Sequence, residues 1–332
     1  MRHRDFAGKL CSLAVWLAAI ALPCAALKFE LLEVQGASAK SRIVFIRDCG
    51  AGRIPESRPC TDPETQFWEG DSAQLRRILS DSARSGIPVE EAWLFSGGGN
   101  LQEGVEIGRV LRENKLTVRI PNISRVRKFR PWPEPRNEVY CVSACTVAFM
   151  GGRFRYMDPG TSYEVHSASA GSDAVPARHL ASMKSGNFDQ VSQHVQVNAT
   201  FRAYQLFRHF QNTLIIPLRI APLGENDERF FQWARNQPSP PYQLAESDRQ
   251  RFASEGEAAA QDIFMRMERD AMRGAIEQIR RLLPQLGQRA THALRMVEAM
   301  YDVSIKETEV MTKETMYKMG YLTQDLDLGS NP

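Results

Sequence analysis

The run Val89-Glu-Glu-Ala-Trp-Leu-Phe95 passes directly into Ser96-Gly-Gly-Gly-Asn100. No other stretch narrows the choice of folds as far. Val89 to Phe95 reads as a strand, and three successive glycines then turn the chain. Leu101 to Lys115 follows, with Val105, Ile107, Val110 and Leu111 at helical spacing, and Leu116 to Ile120 is strand-like again. The same alternation starts earlier. Lys28 to Val34 and Ser41 to Arg47 read as strands. Asp71 to Ser85 reads as a helix started by Asp71 and Ser72, with Leu75, Ile78 and Leu79 inward. Strands and helices in this order predict an α/β fold with parallel strands.

The second informative stretch is Cys141-Val-Ser-Ala-Cys-Thr-Val-Ala-Phe-Met-Gly-Gly152. It predicts a short buried helix with Ser143 at its N-terminus, stopped by Gly151-Gly152. The plain reading makes Ser143 an N-cap. The sharper reading makes it a nucleophile, because the free N–H groups of a helix start suit a developing oxyanion. His166 ends the strand-like run Ser162-Tyr-Glu-Val-His166, 23 positions after Ser143. A serine and a histidine on neighbouring elements can form a nucleophile–base pair.

The amino end, Met-Arg-His-Arg followed by an apolar run from Leu10 to Ala26, has the pattern of a secretory signal peptide over 1–26. The expectation is cleavage after Ala26 and a periplasmic or secreted protein; an uncleaved leader would make the only membrane contact. About 306 residues then remain, read as a single domain over 27–332. Of six cysteines, Cys49, Cys60, Cys141 and Cys145 lie beyond the leader. Export permits disulfides. Cys49 and Cys60 bracket a Gly/Pro-rich loop and are a candidate pair; the pairing of Cys141 and Cys145 stays open. No second ligand pair has zinc spacing, so neither a metal nor another cofactor is expected. A net charge of +3 gives no case for nucleic acid.

Pro121 to Arg136 reads as a polar loop whose Arg125, Arg127, Lys128 and Arg130 are solvated, or else form a gate for acidic groups. Ala177 to Asn212, Glu246 to Leu283 and Leu286 to Tyr301 are helical patterns, with an irregular, Pro-containing stretch from Pro217 to Pro241. Their length offers surface for a homo-oligomer. His179, His194, His209 and His292 are read as packing or surface residues. The chain closes with a short helix, capped by Thr312 and ended by Gly320.

Four of these stretches resemble the Clp proteolytic subunit and crotonase-like superfamily. Ser96-Gly-Gly-Gly99 is similar to its Ser-Pro-Gly-Gly turn, with Gly97 in place of the proline. Cys141-Val-Ser-Ala-Cys-Thr-Val-Ala-Phe149 resembles the segment of its nucleophile. Tyr163-Glu-Val-His166 resembles the strand of its histidine, and Met311 to Leu322 resembles its closing segment. The likeness covers mainly Trp93 to Ser167 and the last twenty or so residues, and is nearest to an exported bacterial branch. It implies a β-β-α spiral with a helical insertion over about 177–301. It also implies Ser143 as nucleophile, His166 as general base, and backbone N–H donors at Gly99 (or Gly98) and Ala144. The acid nearest to the expected place is Asp302; the strict offset falls on Ser304, with Glu307 and Glu309 close by.

The expected function is an exported serine hydrolase acting on peptide or protein substrates. The competing expectation is a catalytically silent binding or assembly module on the same fold. Acyl-thioester chemistry fits export poorly. A serine–lysine hydrolase resembling signal peptide peptidase A would use Lys184 or Lys313, neither of which lies in a supporting motif.

Overall fold

A computed structural model describes residues 27–35, 40–48, 67–129, 139–166, 175–213, 244–282, 288–302 and 309–323. The fold is mixed α/β. The main sheet contains β1 (Leu27–Gln35), β2 (Lys40–Asp48), β3 (Val89–Phe95), β4 (Thr117–Ile120) and β6 (Phe154–Met157), in that spatial order. β2, β3, β4 and β6 are mutually parallel. β1 is the exception and pairs antiparallel with β2, Leu27 opposite Asp48 and Gln35 opposite Lys40. Its connection to β2 is too short for a crossover, which fixes that direction. From Val44 to Asp48, β2 is buried at every position, as a strand covered on both faces should be.

Helices α1 (Asp71–Arg84) and α2 (Leu101–Glu113) are the crossovers between β2 and β3 and between β3 and β4. The predicted start of α1 is corrected in detail. Its N-cap is Gly70, and no side chain caps it. Asp71 instead accepts the N–H groups of Trp68 at 2.8 Å and Leu27 at 3.4 Å, tying the helix to the first strand. The Ser72 N–H goes to Glu103 of α2. The segment read as a polar loop after β4 contains a five-residue helix, α3 (Ile123–Arg127), capped by Asn122.

A second, smaller sheet joins β5 (Val139–Val142), β7 (Thr161–Val165) and β8 (Glu309–Val310). β5 and β7 run parallel, and β8 is antiparallel to β7. Ser96 at the end of β3 bridges to Cys141 in β5, so the two sheets meet where the glycine turn begins.

Between β5 and β6 lies α4 (Ala144–Met150), buried at every residue. After β7 the chain leaves the sheets for α5 (Ala177–Lys184), α6 (Phe188–Thr213), α7 (Glu246–Glu255), α8 (Glu257–Leu282) and α9 (Gln288–Asp302). Two of the predicted continuous helices are thus broken, at Gly186 and at Gly256, both with positive φ. A left-handed residue cannot continue a right-handed helix. The chain returns through β8 to α10 (Lys313–Lys318), where Thr312 Oγ1 accepts the Thr315 N–H at 3.2 Å and Gly320 adopts φ 75°. Among the described residues no helix is long and apolar enough to cross a membrane.

The helical part is fastened to the sheets by two buried polar side chains. Arg155, fully buried in the middle of β6, donates to the carbonyls of Met150 (2.8 Å), Tyr321 (2.7 Å), Gly320 (3.0 Å) and Thr213. These carbonyls close α4, α10 and α6, so one cation serves three helix C-termini. His209 of α6 reaches the Val147 carbonyl of α4 at 2.8 Å.

Candidate active site

Ser143 lies between the last residue of β5 and the first of α4. Its backbone is at φ 56°, ψ −123°, and its side chain makes no capping hydrogen bond. The N-cap reading is therefore corrected: the position is that of a cap, but the hydroxyl does not do a cap's work. A non-glycine residue in this region carries strain of about 1–3 kcal/mol and persists only where its surroundings hold it. The restraints are visible. The Ser143 N–H donates to the Glu164 carbonyl at 3.1 Å, and the Val142 N–H to the Ser96 carbonyl at 3.0 Å. The Ser143 carbonyl accepts the Thr146 N–H at 2.9 Å and the Thr146 hydroxyl at 2.5 Å. A disulfide joins Cys141 to Cys145 across the turn, with Cα atoms 5.2 Å apart. The pairing that the sequence left open is thus made, while Cys49 and Cys60 lie outside the described residues.

The glycine turn packs against this serine. A Cβ on Gly98 would lie 2.5 Å from Ser143 Cβ and 2.7 Å from the Val142 carbonyl oxygen, and Gly98 has φ 106°. Only glycine fits there. The turn is gripped from both sides. Asp48, at the end of β2, accepts the Ser96 hydroxyl on one carboxylate oxygen and the Gly97 N–H on the other at 2.8 Å. Ser96 Oγ in turn accepts the Gly98 N–H at 3.0 Å. Phe67 donates its N–H to the Gly98 carbonyl at 2.7 Å and accepts the Asn100 N–H at 2.9 Å.

These bonds separate the two glycines predicted as donors. The Gly98 N–H is already engaged. The Gly99 N–H shares a planar trans peptide with the Gly98 carbonyl, so it points away from Phe67. Among the described residues, the N–H groups of Gly99 and Ala144 meet no acceptor.

His166 is half-buried immediately beyond β7. The register of β5 on β7 pairs Cys141 with Tyr163 and Val142 with Glu164, so Ser143 and His166 emerge at the same end of two adjacent parallel strands. Tyr163 fixes β7 against α4: its hydroxyl donates to the Thr146 carbonyl at 3.2 Å and its ring meets Phe149 edge-on at 5.5 Å. Burial pushes the Tyr163 phenol well above its ordinary range, so it stays a neutral donor. A general base must come within hydrogen-bond reach of the hydroxyl it serves, and catalytic hydrogen bonds often tighten only in the substrate complex.

Asp302 is the last residue of α9, and its side chain lies outside the described atoms, as do Ser304 and Glu307. Lys184 pairs with Glu257 at the surface of the helical part, which occupies that candidate base. Among the described residues no cluster of histidine, cysteine and carboxylate side chains could hold a metal ion. The His179 and His194 rings do meet, 5.0 Å apart, and His179 stacks on Phe264 at 5.4 Å.

The sequence did not single out Asp48, Phe67 or Arg155. Asp48 left one clue, an acid closing the strand soon after the apolar run Ile43 to Ile46. The other two act through pairings between residues far apart in the chain. His209, read as a packing or surface residue, is buried and packs against α4.

No protein-family model matches the chain, and neither does any curated protein.

Proposed function

We propose that this chain is a serine hydrolase acting on peptide bonds, with a Clp- and crotonase-like β-β-α spiral as its core. Ser143 is the nucleophile and His166 the general base. The N–H groups of Gly99 and Ala144 receive the oxyanion. The observation that carries the reading is Ser143 itself: a serine in a disfavoured backbone conformation, at a strand-to-helix turn, with its hydroxyl unused. Strand-to-helix turns of this kind present a nucleophile above its own backbone. The N–H groups of Gly99 and Ala144, without an acceptor among the described residues, are the donors this reading assigns to the oxyanion of the acyl transfer. His166 would take the hydroxyl proton on attack and return it to the leaving amine. Removal of a leader at 1–26 would place this activity in the periplasm or outside the cell.

A second reading keeps the fold as a binding or assembly module without chemistry. The turn at Ser143 is held by its bonds to Glu164 and Thr146 whether or not the hydroxyl reacts, which is all that reading needs. Covalent trapping separates the two. A fluorophosphonate should attach to Ser143, and mass spectrometry of the digested adduct should place it there. A folded protein that stays unmodified supports the binding module.

A further inference from the structure

We propose that the Cys141–Cys145 disulfide arms the site: it holds Ser143 in its reactive conformation, so the protein is active when oxidised and silent when reduced. This rests on the hydrolase reading and adds a regulation to it. The bond joins the next-to-last residue of β5 to the second residue of α4, and the only residues inside its ring are Val142, Ser143 and Ala144. One of these is the proposed nucleophile and another a proposed oxyanion donor.

Both cysteines are fully buried. They therefore shape the backbone without meeting substrate and are positioning residues. With the bond open, the restraints left on the turn are the Ser143 hydrogen bonds to Glu164 and Thr146, the Val142–Ser96 hydrogen bond and the contact with Gly98. Without the bond, Ser143 is released to relax toward the extended backbone region that an ordinary N-cap occupies. That relaxation moves the Ser143 hydroxyl and the Ala144 N–H together. The chemistry is a two-electron exchange with a dithiol. Because both sulfurs are buried, exchange proceeds from a local opening of the turn; there the dithiol's thiolate attacks one sulfur and its second thiol resolves the mixed disulfide, Cys141 and Cys145 leave as thiols, having taken up two electrons and two protons, and the reductant becomes a cyclic disulfide.

The test uses the purified protein in oxidised form, after reduction with dithiothreitol and removal of the reductant under anaerobic conditions, and after reoxidation. A Cys141→Ala/Cys145→Ala variant is run beside them. Fluorophosphonate labelling rate is one readout. The other is the amide NMR shifts of Ser143, Ala144 and Gly98, with thermal unfolding as the check on fold. The expected result is labelling slowed tenfold or more in the folded reduced protein and in the variant, equivalent to about 1.4 kcal/mol, and restored on reoxidation. Equal labelling in both redox states overturns the disulfide's role and leaves the hydrolase standing. No labelling in either state, with the three amides shifting on reduction, overturns the hydrolase and leaves the conformational lock standing. No labelling and no shift overturns both. Loss of cooperative unfolding in both the reduced protein and the variant makes the bond a structural staple and overturns the proposal.

Discussion

The Ser143 N–H donates to the Glu164 carbonyl at 3.1 Å, extending the β5–β7 pairing one residue past the end of β5. That bond sets the separation of Ser143 from His166, because His166 is only two residues beyond Glu164. The site therefore depends on strand register. A change that slips β5 on β7 by one residue inverts every side chain of the strand. Replacing buried Tyr163 by Ala removes its hold on α4 and opens that route. The expected result is a loss of about 3–5 kcal/mol in stability, read by urea unfolding, together with loss of Ser143 labelling.

Gly98 is a sharper probe, because it touches the serine directly. Gly98→Ala introduces a Cβ into space occupied by Ser143 and Val142, at a φ that alanine avoids. The expected cost is about 2–4 kcal/mol, with labelling of Ser143 falling further than the loss of folded protein accounts for. Urea unfolding and labelling rates on the same samples make the comparison.

Asp48 acts on the same turn from behind. Asp48→Asn weakens the grip on the Ser96 hydroxyl and the Gly97 N–H while keeping the shape of the side chain. It should slow labelling roughly tenfold, with a stability loss of about 1–3 kcal/mol. Ser96→Ala should behave in the same way, and the double variant should fall short of the sum, as residues sharing one network do.

His209 makes folding pH-dependent. Burial drives its ring to a pKa of about 4, against the hydrogen bond to Val147 and with help from the charges of Arg109, Arg155 and Arg112. The folded value lies below the unfolded one, so the unfolded chain takes up the proton first. Its contribution is complete above the ordinary histidine value and is lost as pH falls from about 6.5 to about 4, by roughly 3 kcal/mol. Urea unfolding of the wild type and of His209→Gln, compared at about pH 7 and about pH 4.5, should show the smaller pH dependence in the variant.

Arg155 should be the least replaceable of the buried cations. Arg155→Met leaves the carbonyls of Met150, Gly320 and Tyr321 without their donor, at an expected loss of about 3–5 kcal/mol. Limited proteolysis should then release the segment after α10 sooner than in the wild type.

The parts of this architecture legible in the sequence are those whose pattern is local. Val89 to Phe95, the glycine turn and the helix after it declare themselves by composition and period. The strand β6 was hidden because Arg155 at its centre reads as an exposed residue, yet its charge is met by carbonyls from remote segments. The helix α3 was hidden by its length and its arginines; one of these, Arg125, pairs with buried Asp158 at 2.6 Å while its side chain stays partly exposed. Gly186 and Gly256 were single residues in long apolar patterns, and only their positive φ shows that they end helices. Ser143 and His166 could be put forward as candidates from type and order. The backbone strain at Ser143, the engagement of the Gly98 N–H and the role of Asp48 could not, because each arises where separate strands meet.

The central claim is that Ser143 is a nucleophile activated by His166. The most direct measurement is the labelling rate of the purified protein with a fluorophosphonate, beside Ser143→Ala and His166→Ala, with all three shown to be folded by thermal unfolding. The wild type should label, Ser143→Ala should not, and His166→Ala should label more slowly by about a hundredfold or more. A folded wild type that does not label, or a His166→Ala that labels as fast as the wild type, would contradict that claim.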